Sequence, residues 1–376
     1  MQLRVQVAGI LLVMLAAPGL MQLGAAAPCY PAMFVFGDSL ADTGNGVLSG
    51  NAFFLRTAQK PYGETVPGNP FRRFSDGLLL IDFLAMRLGL PLLNPFLDKT
   101  ANFNMGVNYA VSGATADRVS KYITRFILPL TPYSLDVQLS WHLALTASGP
   151  SPQKPNADAY KDGLYVVEIG GNDYLSALNA LVPNSPSKVI STFVPAVISK
   201  IGTTTEALYA NGARHFLFIS IPPLGCSPSI LSGNPTGPKD SNGCLQEFNA
   251  ISVAHGMQLF SLVNGLRSKH SDATFAFLDY YGAFYQTLAA SASLGFTDTL
   301  DACCGAGPKA PNRYDRASFC SASSIGSSDT LCPDPNVFFT WDGIHFTHKL
   351  NSEISRLTFE KGSFLDPPNA FAACGP

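Results

Sequence analysis

Phe34-Val35-Phe36 runs into Gly37-Asp38-Ser39-Leu40 and then Ala41-Asp42-Thr43-Gly44-Asn45, close to the start of this 376-residue chain. Residues 33–36 are apolar without a break and carry aromatic and β-branched side chains, the composition of a strand covered on both faces. Four later runs share that character: residues 108–111, 164–169, 215–221 and 274–278. Between them lie longer stretches with apolar residues at helical spacing, at 77–88, 187–210 and 245–269. Strands alternating with helices predict an α/β fold, a parallel sheet with helices on both faces. Ligands bind such sheets beyond the C-terminal strand ends. A polar residue just past a buried strand, as Ser39 is here, marks a place to look for chemistry.

Composition narrows the function. Hydrophobic residues make up 47 % of the chain and charged residues 13 %, with a formal net charge of −2. That is a globular composition without the clustered positive field that nucleic acid or an anionic membrane surface requires, so neither is expected as a partner. Arg4, the apolar residues 7–17 and Gly24-Ala25-Ala26-Ala27 read as a signal peptide over residues 1–26, followed by one domain over 27–376. Pro18 and Gly19 interrupt the apolar run, which argues against a stable membrane anchor. All eight cysteines follow the expected cleavage point, and an even count in an oxidising compartment predicts disulfides, with the pairing open. No C-x-x-C is present and no histidines flank the cysteines at ligand spacing, so neither a metal nor another cofactor is expected. Residues 301–334, rich in Gly, Pro, Ser and Cys, read as a long loop stapled by disulfides; 148–155 and 232–242 read as shorter loops.

Four segments carry candidate chemistry. Ser39 follows the first strand; its bland reading is a helix cap. Near the other end, Trp341-Asp342-Gly343-Ile344-His345 sets a carboxylate three residues before an imidazole. A serine hydroxyl is a weak nucleophile, and it needs a base held in the correct tautomer. Asp342 can accept from one ring nitrogen of His345 and leave the other for Ser39. His348 competes as a base but lacks a carboxylate at that spacing. Gly170-Gly171-Asn172-Asp173 ends a strand with an amide able to donate to an oxyanion, or is an ordinary turn. Asn108-Tyr109-Ala110-Val111-Ser112-Gly113 offers a backbone N–H at Gly113. The G-x-S-x-G nucleophile elbow is absent. Singly these signals are weak; together they supply a nucleophile, a base, its orienting acid and oxyanion donors.

On these residues the sequence resembles the plant-type GDSL esterase/lipase family, within the SGNH hydrolases. Gly37 to Asn45, Asn108 to Gly113, Gly171-Asn172-Asp173, Pro223-Leu224-Gly225-Cys226 and Trp341 to Thr347 are similar to successive blocks of that family. Arg73-Phe74-Ser75-Asp76-Gly77 and Ala302-Cys303-Cys304-Gly305 add to the likeness. The resemblance implies a three-layer α/β/α sandwich around a parallel, flavodoxin-like sheet. It implies Ser39 as nucleophile, His345 as base and Asp342 as its partner, with an oxyanion hole from the Ser39 N–H, the Gly113 N–H and the Asn172 side chain. One departure is Ser112-Gly113, where the family usually has two glycines. The expected activity is a secreted serine esterase acting on short-chain acyl, acetylated-carbohydrate or lipid esters, in the cell wall or apoplast among other sites. An acyltransferase using the same acyl-enzyme, and a non-catalytic carbohydrate-binding protein on the same fold, are the alternatives.

Overall fold

A computed structural model describes residues 29–66, 72–118, 131–180, 185–305, 314, 320 and 331–374. The segment read as a signal peptide lies outside the described residues.

The five apolar runs form the parallel core of a six-stranded sheet. Its strands are β1 (Met33–Gly37), β2 (Gly106–Asn108), β3 (Leu164–Glu168), β4 (His215–Ile219), β5 (Thr274–Leu278) and, further on, β8 (Leu365–Asp366). The order is β2-β1-β3-β4-β5-β8. The first five are parallel, the order of a flavodoxin-like sheet, and β8 pairs antiparallel with β5 at the edge. A second, two-stranded sheet joins β6 (Asp298–Ala302) to β7 (Phe338–Thr340).

Alternation along each strand explains why the runs are apolar throughout. Phe34, Phe36, Tyr165, Val167, Phe216 and Phe218 face one layer. There they meet α2 (Leu135–Ala147), α3 (Gly171–Ala180), α4 (Val194–Ala210) and α5 (Gln246–Lys269) through residues such as Leu135, Tyr174, Val197 and Leu259. Met33, Val35, Leu164, Val166, Leu217 and Ile219 face the other. That layer holds α1 (Leu80–Arg87), α6 (Tyr280–Ala289) and α7 (His348–Ser355), contributing Leu84, Phe284 and Ile354. The arrangement is the expected three-layer α/β/α sandwich.

Two details depart from the sequence reading. The second strand covers Gly106–Asn108 instead of 108–111. Tyr109 and Val111 still donate to the Val35 and Gly37 carbonyls. The Asn108 side chain, however, donates to the Ala41 carbonyl at 2.6 Å and accepts from the Ala110 N–H at 2.9 Å, and that local turn chemistry interrupts the ladder. The loop expected from 232 begins inside a short helix, Pro228–Gly233. Four disulfides close the fold: Cys29–Cys374, Cys226–Cys244, Cys303–Cys332 and Cys304–Cys320. The last two span the expected stapled loop, much of which lies outside the described residues.

Candidate active site

The C-terminal end of β1 sets the first group. Gly37 pairs with Glu168 of β3, and a Cβ at Gly37 would stand 2.4 Å from the Glu168 carbonyl oxygen, so a side chain there would push the strands apart. Gln138 of α2 takes both backbone groups of Gly37, accepting from its N–H at 2.9 Å and donating to its carbonyl at 2.8 Å. The turn that follows is pinned by Asp38, whose Oδ1 accepts from the Leu40 N–H at 3.1 Å. This leaves Ser39 at the strand end, 9 % exposed.

The second group comes from the segment after β7. Asp342 Oδ1 accepts from the Ile344 and His345 N–H groups at 3.1 and 2.9 Å, which curls the chain so that the imidazole folds back over the carboxylate. His345 Nδ1 lies 2.8 Å from both Asp342 oxygens, and Nε2 lies 2.8 Å from Ser39 Oγ. The structure therefore brings together a hydroxyl, an imidazole and a carboxylate from opposite ends of the chain. With Nδ1 donating to Asp342, Nε2 is the acceptor that faces the serine. Burial alone would raise the Asp342 carboxyl; the pull of the His345 imidazolium when it forms, the ring hydrogen bond and the two N–H groups outweigh it and hold it below the ordinary carboxylate range. His348 is turned to another task. Its Nδ1 accepts from the Leu78 N–H at 3.1 Å, and its own N–H donates to Asp76 at 2.7 Å.

The third group adjoins the first two. Gly170, at φ 126°, turns the chain from β3 into α3, and Asn172 sits on the first turn of that helix. The Asn172 amide donates to the Ala114 carbonyl at 3.0 Å, and its side chain also reaches the Asp38 carboxyl. Asp173 accepts from the Ala116 N–H at 2.8 Å, holding the segment that contains Gly113. Gly113 has φ 77°. Asn172 lines the same cleft as Ser39 and His345; Gly113 is not among the cleft-lining residues. The cleft has a cavity volume of about 60 Å³ and is partly open to solvent, between largely apolar walls that include Leu175, Ile221, Leu224, Ile230, Phe284 and Phe346. The Cys226–Cys244 disulfide anchors the Leu224–Cys226 side of that wall.

Several residues of this site were not singled out in the sequence. Tyr62, fully buried, donates to Asp342 Oδ2 at 3.0 Å, and the Phe74 ring lies 4.4 Å from the His345 ring. Asp42 joins two segments: Oδ1 accepts from the Gly44 and Asn45 N–H groups, and Oδ2 accepts from the Gly46 N–H and from both the N–H and hydroxyl of Ser112. That last bond gives the serine at the family's usual glycine position a structural use. No sequence spacing links Tyr62 or Phe74 to His345, so only the family-like block around Phe74 offered a signal.

Known proteins resemble this chain over most of its length. A family model described as "GDSL-like Lipase/Acylhydrolase" matches residues 33–357. The chain is similar to acetylajmalan esterase 2 from Rauvolfia serpentina, 34 % identical over 334 residues that cover 86 % of this chain and 88 % of that protein. It is also similar to a GDSL esterase/lipase from Arabidopsis thaliana, 37 % identical across 85 % and 87 % of the two chains. Among solved structures it is similar to a putative GDSL-like lipase from Parabacteroides merdae, 11 % identical with a TM-score of 0.38, covering 88 % of this chain and 95 % of that one.

Proposed function

The chain belongs to the GDSL-like lipase/acylhydrolase family and is a carboxylic ester hydrolase, and from that premise we propose that it works through an acyl-enzyme on Ser39. The observation that carries the proposal is His345 standing 2.8 Å from Ser39 Oγ on one side and from Asp342 on the other. His345 takes the hydroxyl proton as Ser39 attacks the ester carbonyl, then returns it to the leaving alcohol. Water repeats the exchange to release the acid. Asp342 stabilises the imidazolium that forms. The developing oxyanion is met by the Ser39 N–H, the Gly113 N–H and the Asn172 amide, one N–H of which leaves the Ala114 carbonyl as the charge forms.

The cleft bears on the substrate. Its size and apolar walls suit a short acyl group on a compact alcohol, including an acetylated carbohydrate, better than a long lipid. Relatives named acetylajmalan esterase support the same direction. Four disulfides support an oxidising, extracellular location, and among the described residues no helix is long and apolar enough to cross a membrane. N-terminal sequencing of the protein recovered from its native source tests secretion; a chain still beginning at Met1 contradicts it.

The central test is hydrolysis of p-nitrophenyl acetate by the wild type and Ser39→Ala. Activity is expected to vanish in the variant, and equal rates would refute the nucleophile. Asn172→Ala is expected to lower kcat by roughly 10²–10³-fold, the loss that accompanies one oxyanion donor. Unchanged turnover would remove Asn172 from that role.

A further inference from the structure

Glu168 ends β3 where the strand's alternation puts it on the same face as Leu164 and Val166, in the apolar layer. It is 3 % exposed, and neither of its carboxyl oxygens has a hydrogen-bond partner among the described residues. An ionised carboxylate in that setting is far costlier than a neutral acid. A second buried carboxyl, Asp38, is close enough that the two charges repel. Two carboxyls in one apolar site hold a proton between them, and the group with fewer favourable partners keeps it. Asp38 has the Leu40 N–H and the Asn172 side chain, and the His345 imidazolium when that forms; Glu168 has no hydrogen-bond partner among the described residues.

We infer that Glu168 is a positioning residue of this esterase: it stays un-ionised beside the nucleophile turn, so that Asp38 alone carries the charge that holds the Leu40 N–H and the Asn172 side chain in place. The inference rests on Ser39 and Asn172 acting as nucleophile and oxyanion donor. Glu168 lines the same cleft as Ser39 and Asn172, so ionising it would add a second negative charge there, which opposes the charge development the site must stabilise. The groups facing the pair come from every neighbouring element. They are Asp42 beyond β1, Asn172 on α3, Tyr280 on α6 and His345 beyond β7. Their directions agree. Burial and then the Asp38 charge push the Glu168 carboxyl well above the carboxylate range. Burial pushes Asp38 up to about 6, with Asp42 adding to it, while the Leu40 N–H, His345 and Asn172 pull it back.

The test reads protonation and function separately. Infrared difference spectra of Glu168→Gln against its parent, both in a Ser39→Ala background near neutral pH, are expected to show loss of the carbonyl stretch of an un-ionised carboxyl. Loss of a carboxylate band instead would overturn the inference. Carbon-13 NMR of the Glu168 side chain in the unmutated protein gives the same reading if the variant folds poorly. With p-nitrophenyl acetate, Glu168→Gln mimics the neutral acid and is expected to keep kcat/KM within about threefold at neutral pH. A carboxyl raised by folding costs stability as pH rises above its unfolded value, so the Tm advantage of Glu168→Gln should widen as pH rises above about 5. A constant Tm difference, or a loss of kcat/KM of tenfold or more at neutral pH, would overturn the inference. Ester hydrolysis surviving in Ser39→Ala would refute the nucleophile while leaving the infrared result intact.

Discussion

At the scale of single residues, the site depends on side chains that hold other side chains. Tyr62 is the clearest. Its hydroxyl donates to the Asp342 oxygen that accepts no backbone N–H, and burial followed by the Asp342 charge pushes its phenol well above the usual range, so it remains a donor. A hydrogen bond to a charged group is worth roughly 1.5–3 kcal/mol. Tyr62→Phe should therefore lower kcat by about tenfold and leave KM little changed, because the loss falls on the alignment of His345 rather than on the ester. Steady-state kinetics on p-nitrophenyl acetate checks this; a rise in KM alone would place Tyr62 in substrate binding instead. Of the residues expected from the sequence, Ser39, His345 and Asn172 line one cleft and Asp342 holds His345 there, whereas Gly113 adjoins it through its neighbour Ala114.

At the scale of elements, the helices do more than cover the sheet. Gln138 projects from α2 across 101 residues of sequence to satisfy both backbone groups of Gly37 at the end of β1. Replacing it with leucine would leave the buried Gly37 N–H unpaired, while the carbonyl keeps the Val111 N–H. That costs on the order of 1–3 kcal/mol. Urea unfolding of Gln138→Leu should show that loss, and a shift under 1 kcal/mol would mean that water or a neighbour replaces the amide. The existence of the core strands was legible from apolar runs, and β5 falls on the expected residues. Helices α2, α3, α6 and α7 were not singled out. α2 carries Ser140 and His142 among its apolar residues, and α3 starts within Gly-Asn-Asp, which also reads as turn chemistry. The edge strand β8 has two residues, too short for any periodicity to register.

At the scale of the whole molecule, buried titratable groups set the response to acid. His142 and His255 are both pushed down to about 3 by burial, so they are neutral in the fold and charge only on unfolding. The unfolded chain then binds more protons than the native one between roughly pH 6.5 and 3, and stability falls as pH drops through that window. Each such imidazole contributes a slope approaching about 1.4 kcal/mol per pH unit. Asp38, Asp42 and Asp76, raised by burial, act in the opposite sense as pH climbs above their unfolded values. His255→Gln, which keeps an acceptor for the Tyr174 hydroxyl, is expected to flatten the acid side of the stability curve. An unchanged acid slope in Tm against pH would show that His255 is not a contributor.

The sequence by itself determined the five core strands, their parallel arrangement and the small set of residues able to form a nucleophile, a base and its acid. Those features rest on local side-chain character and on short spacings, such as the three residues from Asp342 to His345. Only the tertiary structure decided that Ser39 and His345, 306 residues apart, stand 2.8 Å apart, that Tyr62 and Gln138 hold Asp342 and Gly37, and that Glu168 adjoins Asp38. Such contacts depend on how the layers pack and which faces turn inward. That is a balance of burial and hydrogen bonding across the whole chain, and no local pattern encodes it.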